Sequence, residues 1–357
     1  MHHPRGTGRA SRWLITGAIL LGLSGTTRVA GAQAADGFPG FIPMPGVTAE
    51  GVAFDKAGGL YVSVRDGMRG LIWKYWRTGE PALVAEIGPG LIGGLAMAAN
   101  GDLFAAVAAG PGRGVYRIDS DGSVEQLPGT GAMLFANALA FDQRGALYVT
   151  ESFSMTSPTN YGPGGVWRIA PGGGAEPWVR HPLLTGIGAV LGYPVGANGI
   201  AFYHGDLYVA NTDKGLVVRI PVLADGSPGE PEVWATLGPV AGSPLSASPT
   251  PVMGDGLALD VHGNVYVAVV SRAAVVRINA DDRSQETVAA LLLGAPGPPQ
   301  PAPLDTPASL AFGTGAGEQQ QLFVTNLGMM SAMVPGPPWP GSGLVKIEAG
   351  FPGRPLR

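Results

Sequence analysis

The chain has 357 residues, a formal net charge of −4 and no cysteine, and it contains 58 glycines and 33 prolines. The absence of cysteine excludes disulfides, thiol catalysis and thiolate metal sites, and the acidic balance without a basic stripe argues against nucleic acid as a partner. The glycines lie in turns between short apolar runs, which is typical of a folded, turn-rich chain rather than of disorder.

Residues 1–34 have the pattern of a secretory signal peptide. Three arginines precede an apolar stretch at 13–23, and the segment AGAQA at 30–34 supplies an A-x-A cleavage site. An uncleaved membrane anchor is the weaker alternative, because the apolar core is shorter than the roughly 20 residues that span a bilayer. We therefore expect a secreted or periplasmic protein, with a mature domain over 35–357 that is not stably inserted in a membrane.

One pattern is then repeated six times. Each copy alternates apolar and polar residues, turns at Gly, Asn or Asp, and alternates again, which predicts a β-hairpin. The first copy reads GVAFDKAGGLYVS, and the six copies occupy 51–63, 94–106, 138–150, 199–211, 256–268 and 309–325. A repeat of this kind indicates a fold built from one unit copied along the chain.

A third apolar run follows every copy, and a fourth run follows most of them. The third runs occupy 70–76, 114–118, 165–169, 215–222, 273–280 and 343–349. The fourth runs occupy 82–87, 123–127, 175–179, 231–236 and 285–291. Four antiparallel strands per unit and no helical periodicity predict an all-β, six-bladed β-propeller with four-stranded blades. A solenoid is the alternative, but its repeats would be shorter and would not carry two hairpins.

The sixth unit has no obvious fourth run. The segment FPGFIPMPG at 38–46 belongs to no unit, so we expect this N-terminal strand to complete the sixth blade and close the ring. Closure would remove the open sheet edges that invite aggregation.

Most insertions are predicted to share one face of the propeller. In an up-and-down blade, the links between blades and the turns between the second and third strands lie on the same side. The long insertions of both kinds occupy 152–164, 181–197, 237–253, 292–308 and 327–342. Long loops on a rigid scaffold are where binding sites are usually built.

Four of the six copies are immediately preceded by an oxygen-bearing side chain: Glu50, Asn137, Asn198 and Asp255. Each stands at the start of an innermost strand on the loop-rich face, so the four should converge on the central channel. Two carboxylates and two amide oxygens suit calcium first, then magnesium or manganese, whereas zinc more often recruits histidine or cysteine. Capping of turns is the alternative interpretation of these residues.

Three further polar residues, Glu151, Asn211 and Asn326, end second strands on the same face. They are candidates for substrate contacts or for support of the site from behind. The alternative is that they only terminate strands.

The chain resembles the senescence-marker-protein/gluconolactonase/luciferin-regenerating-enzyme family of six-bladed propellers over roughly residues 38–350. The motifs that carry the resemblance are AEGVAFD, FANALAFD, GANGIAF followed by LYVANTDKG, and GDGLALD followed by NVYVA. The resemblance implies that Glu50, Asn137, Asn198 and Asp255 bind a central divalent metal. Paraoxonase-like and strictosidine-synthase-like propellers are more distant relatives.

The chain departs from the family pattern beside the third-blade asparagine. The family's sugar lactonases carry an arginine two residues before it, where this chain has Phe135, and the acidic residue that follows it is here Ala138. Phe135 is thus a candidate substrate contact, and a substrate more apolar than a sugar acid is expected.

The resemblance implies a metal-dependent hydrolase of a lactone or similar cyclic ester, acting on a small molecule. The metal would polarise the carbonyl, and Asp255 would be both a ligand and the base that deprotonates water. Two alternatives stay open, because a fold does not determine chemistry. One is a non-catalytic propeller that binds a small molecule or a protein, and the other is an oxidoreductase or ring-forming enzyme on the same scaffold.

Overall fold

The structure, a computed structural model, describes most of the chain from residue 38 onward. The described residues are 38–157, 160–188, 192–241, 243, 245, 251–291, 300–333 and 339–355. The predicted leader lies outside them and stays a prediction. In the part of the chain that the structure describes, no helix combines the length and the apolar character that crossing a membrane requires.

Six antiparallel sheets follow one another in chain order, which confirms the predicted six-bladed β-propeller. Blade 1 consists of Thr48–Phe54, Leu60–Asp66, Arg69–Tyr75 and Ala82–Ile87. Blade 2 consists of Leu91–Met97, Leu103–Ala108, Gly114–Ile118 and Val124–Gln126. Blade 3 consists of Ala136–Phe141, Leu147–Glu151, Gly165–Ile169 and Ala175–Arg180.

The remaining three blades repeat this arrangement. Blade 4 consists of Ala197–Tyr203, Asp206–Asn211, Leu216–Pro221 and Glu232–Thr236. Blade 5 consists of Gly254–Leu259, Val265–Val269, Ala274–Ile278 and Gln285–Ala290. Blade 6 consists of Pro307–Phe312, Gln321–Asn326, Gly343–Glu348 and the N-terminal strand Phe41–Pro43.

The loops between these strands contain several short secondary-structure elements. A small hairpin, Ser154–Ser157 with Asn160–Gly162, stands between the second and third strands of blade 3. Blade 5 differs from the prediction, because Gln300–Pro301 adds a fifth strand, parallel to Gln285–Ala290, along its outer edge. The helices within the described residues are Thr130–Ala132, Pro182–Leu184, Val270–Arg272 and the five-residue α-helix Met329–Met333.

The N-terminal strand closes the ring as predicted. It pairs antiparallel with the third strand of blade 6, with Phe41 opposite Val345 and Pro43 opposite Gly343. Phe38, just before it, is 2% exposed and lies edge-on to Phe54 and Phe323 of the neighbouring blades. The first and sixth blades are therefore joined by hydrogen bonds and by a shared aromatic core.

The hydrophobic core is divided into six clusters, one at each junction of neighbouring blades. The second strand of blade 4 shows why the sequence produces this division. Its Leu207 and Val209 pack toward blade 3, whereas Tyr208 and Ala210 pack toward blade 5. Because successive side chains of a strand point to opposite faces, a blade in the ring must be apolar on both.

The repeated AFD-x-x-G pattern has a local explanation in the first hairpin turn of the blades. The Asp55 carboxylate accepts the backbone N–H groups of Ala57 and Gly59, at 2.9 and 2.7 Å. Gly58 within that turn has a φ of +87°, which only glycine adopts without strain. The same aspartate and glycine recur as Asp142 with Gly145 and Asp260 with Gly263. These turns lie on the face opposite the predicted site.

Candidate metal centre

Each of the four predicted ligands lies in a β-bulge of the innermost strand of its blade. In blade 1, Ala49 pairs with Val64 and Val52 with Val62, so two residues on the first strand oppose one residue on the second. The same shift occurs in every blade. The paired bulge residues are Glu50-Gly51, Gly93-Gly94, Asn137-Ala138, Asn198-Gly199, Asp255-Gly256 and Ala308-Ser309. A bulge re-aims a side chain, and here its first residue is the ligand candidate.

The second residue of each bulge is small because the next blade's innermost strand lies against it. A Cβ on Gly51 would lie 2.5 Å from the Gly93 carbonyl oxygen, and one on Gly199 would lie 2.4 Å from that of Asp255. The innermost strands thus touch around the channel. This close contact brings the first bulge residues of neighbouring blades toward one another.

Hydroxyl groups link these bulges from blade to blade. Ser63, opposite the bulge of blade 1, accepts the Gly51 N–H and donates to the Gly93 carbonyl, both at 2.7 Å. Thr150 and Thr325 do the same from blade 3 to blade 4 and from blade 6 to blade 1. The backbone beneath the ligand candidates is therefore held in place by its neighbours.

Both asparagines among the ligand candidates are oriented by a hydroxyl group that lies behind the amide. The Asn137 Nδ2 donates to Ser152 Oγ at 3.0 Å, and Ser152 uses its only proton on the Ala197 carbonyl at 2.9 Å. Since Ser152 can only accept from Asn137, the amide must present its NH₂ group there and its oxygen elsewhere. The Asn198 Nδ2 donates in the same way to Thr212 Oγ1 at 2.9 Å. Both amides thus have their NH₂ ends occupied, which leaves their oxygens available to a cation.

The two carboxylates are buried close to each other. Burial first, and then the negative charge of Glu50, raise the pKa of Asp255 well above its ordinary value. Burial likewise raises the pKa of Glu50, although Arg65 opposes the shift. Arg65 and Asn198 act in the opposite direction on the pKa of Asp255. Two buried carboxylates this close to each other repel unless a cation lies nearby.

Arg65, at the end of the second strand of blade 1, is the residue of this centre that the sequence analysis missed. Its Nη2 lies 3.0 Å from Glu50 Oε2, and its Nε donates to the Ile92 carbonyl at 2.8 Å. The guanidinium is thereby fixed between the backbone of blade 2 and the carboxylate. It neutralises part of the negative charge, so a divalent cation would meet a net charge of about −1.

The donor set fits a hard divalent cation. All four residues are at least nine-tenths buried, and they offer two carboxylates and two amide oxygens. Within the described residues, no group of three or more His, Asp or Glu side chains is placed to hold a metal by itself. Any ion at this centre would therefore depend on the two asparagines, and oxygen-only coordination favours calcium or magnesium over zinc.

The three polar residues at the ends of second strands make hydrogen bonds to the surrounding protein. They are Glu151, Asn211 and Asn326. Glu151 is 1% exposed, and its two oxygens accept from Leu134 N, Trp167 Nε1 and Arg180 Nη2. Asn211 and Asn326 are fully buried and donate to backbone carbonyls of the loops above them. Because no polar atom of the three reaches the channel surface, they position the loops around the site rather than touch a ligand.

Two buried aspartates complete the loop-rich face in the same manner. Asp213 Oδ2 accepts the N–H groups of Ile187, Gly188 and Val195, at 2.8–3.0 Å. Asp305 accepts backbone N–H groups from the segment that carries the α-helix Met329–Met333. Charged acceptors make strong hydrogen bonds to backbone donors. Side chains that follow or precede blade strands thus hold the backbone of the loops on this face in place.

Phe135, two residues before Asn137 in the chain, is partly exposed. Its ring packs on that of Phe153, with centroids 4.7 Å apart and an interplanar angle of 31°. This side of the centre is therefore lined by aromatic rings, and a substrate contact by Phe135 stays a prediction.

The hydroxyl behind Asn198 allows a direct test of the orientation argument. We expect Thr212→Val to weaken divalent-cation binding about tenfold, because the Asn198 amide loses the acceptor that orients it. Isothermal titration with Ca²⁺ would measure the change. Thr314→Val is the matched control, since the Thr314 hydroxyl bonds to the Asp55 carbonyl on the opposite face. Equal affinities for the two variants would contradict the proposed orientation.

The fold of the chain resembles that of known proteins. A family model described as the SMP-30/gluconolactonase/LRE-like region matches residues 48–327. Solved structures that resemble the chain include a calcium-binding protein, regucalcin, from Agrobacterium tumefaciens strain C58, at 18% identity and a TM-score of 0.60. A gluconolactonase from Xanthomonas campestris has 20% identity and a TM-score of 0.56.

The first of these alignments covers 90% of this chain and 98% of the other, and the second covers 84% and 86%. A luciferin-regenerating enzyme is similar at 17% identity and a TM-score of 0.59, covering 87% of this chain and 94% of that one. None of the curated protein sequences matches the chain. At these identities the likeness to solved structures concerns the fold.

Proposed function

Because the chain belongs to the SMP-30/gluconolactonase/LRE-like family, we propose that it is a metal-dependent hydrolase of a lactone or similar cyclic ester. The observation that carries this proposal is the pair of buried carboxylates, Glu50 and Asp255, flanked by two asparagines with occupied NH₂ ends. Two buried carboxylates of like charge lower the stability of the fold, and a bound cation would offset their repulsion. The predicted leader supports export, to the periplasm or the medium.

Each residue of the centre would have a distinct role in hydrolysis. A bound divalent cation would supply the positive charge that polarises an ester carbonyl. Asn137 and Asn198 would hold that cation with their amide oxygens, and Glu50 would hold it with the carboxylate that Arg65 orients. Asp255, whose raised pKa reflects a poorly solvated carboxylate, would take a proton from the attacking water.

Proton and bond changes then balance without a further reactant. The water oxygen bonds to the ester carbon, the ring C–O bond breaks, and the proton held by Asp255 is available to the departing ring oxygen. The product is an open-chain hydroxy acid. At neutral pH the new carboxyl group ionises and its proton passes to the solvent.

Metal dependence is the direct test of this function. We expect the purified protein to hydrolyse at least one member of a panel of lactones, and to lose this activity after treatment with a chelator. Restoring Ca²⁺, Mg²⁺, Mn²⁺ or Zn²⁺ separately would identify the ion that supports turnover. Circular dichroism before and after chelation would separate loss of chemistry from loss of fold.

The result also distinguishes the non-catalytic alternative. A protein that binds a divalent cation but hydrolyses none of the lactones would be a binding propeller, in which the ion supports a ligand or the structure. A protein that binds no divalent cation would contradict the hydrolase proposal altogether.

A further inference from the structure

Four aromatic side chains form a continuous cluster beside the candidate metal centre, here called the aromatic wall (Phe135, Phe153, Tyr161 and Tyr193). Phe153 is its middle member, with ring centroids 4.7 Å from Phe135, 5.2 Å from Tyr161 and 5.7 Å from Tyr193. The two tyrosine rings are 6.5 Å apart. These separations are typical of aromatic rings in mutual contact.

The wall is assembled from separate segments of the loop-rich face. Phe135 precedes the innermost strand of blade 3, and Phe153 follows the second strand of that blade. Tyr161 belongs to the small hairpin Asn160–Gly162, and Tyr193 belongs to the link between blades 3 and 4. Aromatic residues drawn from several loops to one place indicate a built surface rather than a by-product of one strand's packing.

The wall is linked to the candidate metal centre through Ser152. The Phe135 carbonyl accepts the N–H of Ser152 at 3.1 Å, and Ser152 is the residue that orients Asn137. Burial raises the pKa of Tyr193, and the charges of Arg65 and Glu50 also act on its hydroxyl. The wall therefore borders the same channel mouth as the ligand candidates.

The wall is not sealed as a core would be. Tyr161 is 36% exposed, and Phe135 and Tyr193 are half-buried, while only Phe153 is fully covered. Within the described part of the chain, neither tyrosine hydroxyl makes a hydrogen bond. Ring surface and two free hydroxyls are thus available to a molecule that enters the channel.

Polar groups that could grip a sugar are turned away from the same space. Glu151 and Asn211 are buried, and their hydrogen-bonding atoms serve the loops. A polyhydroxylated substrate would lose water against the phenylalanine rings, and two tyrosine hydroxyls would replace only part of its hydrogen bonds, which is unfavourable. A flat apolar ring would instead gain from burial and from edge or stacked contacts.

Resting on the function proposed above, we propose that the aromatic wall recognises an aromatic ring carried by the substrate, so that aromatic lactones are preferred to aliphatic or sugar lactones. Tyr161 and Tyr193 are then specificity-determining residues, and their rings matter more than their hydroxyls. Phe153 supports them from behind.

Hydrolysis of three lactones by wall variants tests this inference. The substrates are dihydrocoumarin, δ-valerolactone and glucono-δ-lactone. We expect the double substitution Tyr161→Ala, Tyr193→Ala to raise KM for dihydrocoumarin about tenfold, with kcat little changed, and to leave δ-valerolactone unaffected. Tyr161→Phe with Tyr193→Phe should keep the preference. Trp76→Ala is the control, because Trp76 is an exposed aromatic residue of blade 1 outside the wall.

Binding of unreactive lactams separates this inference from the hydrolase proposal. Titration calorimetry should show tighter binding of 3,4-dihydroquinolin-2-one than of δ-valerolactam, with the difference lost in the alanine double variant. This preference in a protein that hydrolyses no lactone would support the wall while refuting the hydrolase. Hydrolysis without any preference, or an equal loss for both lactones in the alanine variant, would overturn the wall and leave the hydrolase standing.

Discussion

Replacing Asp255 with asparagine should lower kcat/KM for lactone hydrolysis by about a thousandfold while leaving the fold intact. Asp255→Asn preserves the shape of the side chain but removes a negative charge and the group that would accept the proton of water. General-base catalysis by a single residue contributes roughly 10²–10⁴-fold, and the lost ligand charge acts in the same direction. Steady-state kinetics with a saturating divalent cation would measure the effect.

Two further measurements make the Asp255 result decisive. Asp121→Asn makes the same chemical change in an exposed turn of blade 2, where the carboxylate bonds only to nearby turn residues, and it should not alter turnover. Calorimetric titration should show weaker cation binding by Asp255→Asn. Full activity in this variant would exclude Asp255 as the base and remove the main support for hydrolysis at this centre.

The closing contact at Phe38 should carry a large share of the stability of the ring. We expect Phe38→Ala to reduce the free energy of unfolding by about 3–5 kcal/mol, the usual range for a buried phenylalanine truncated to alanine. The ring packs edge-on to Phe323 at a centroid distance of 5.5 Å, and its loss leaves a cavity between blades 1 and 6. Urea unfolding followed by tryptophan fluorescence would measure the change.

Leu83→Ala provides the comparison for this second substitution. Leu83 lies on the outermost strand of blade 1 and is about half exposed, so its truncation should change the unfolding free energy by roughly 0.5 kcal/mol or less. If Phe38→Ala were no more destabilising than Leu83→Ala, the N-terminal segment would not be needed to hold the ring closed.

The apolar wall and the polar centre have different physical roles. In the proposed hydrolase, charge at the centre, from Glu50, Asp255 and Arg65, would govern the affinity for a cation and the transfer of a proton. Ring surface at the wall would govern which molecules bind. In such a site, substitutions in the loops can change the substrate preference, because the candidate metal ligands lie on the bulges of the blades and are not altered.

Patterns that can be read along the chain were sufficient to predict the ring and to identify the four ligand candidates. Blade number follows from alternation and turn residues, which are local properties of the chain, as the Asp55 and Gly58 turn illustrates. The register of the repeat was then enough to align Glu50, Asn137, Asn198 and Asp255. The pairing of 38–46 with blade 6 also followed from the repeat, because only one strand and one vacant edge were left.

The surroundings of the ligand candidates, in contrast, depend on how the blades pack together. Arg65 meets Glu50, and Ser152 and Thr212 meet the two asparagines, because a bulge aims each side chain toward a partner that strand alternation does not predict. Polar residues at strand ends look alike in sequence whether they face a ligand or a loop. Glu151 accepts hydrogen bonds from Leu134, Trp167 and Arg180, and the aromatic wall is assembled from loops that are distant in sequence. Neither arrangement could be predicted from the sequence, because the directions of these side chains are set only when the blades pack together.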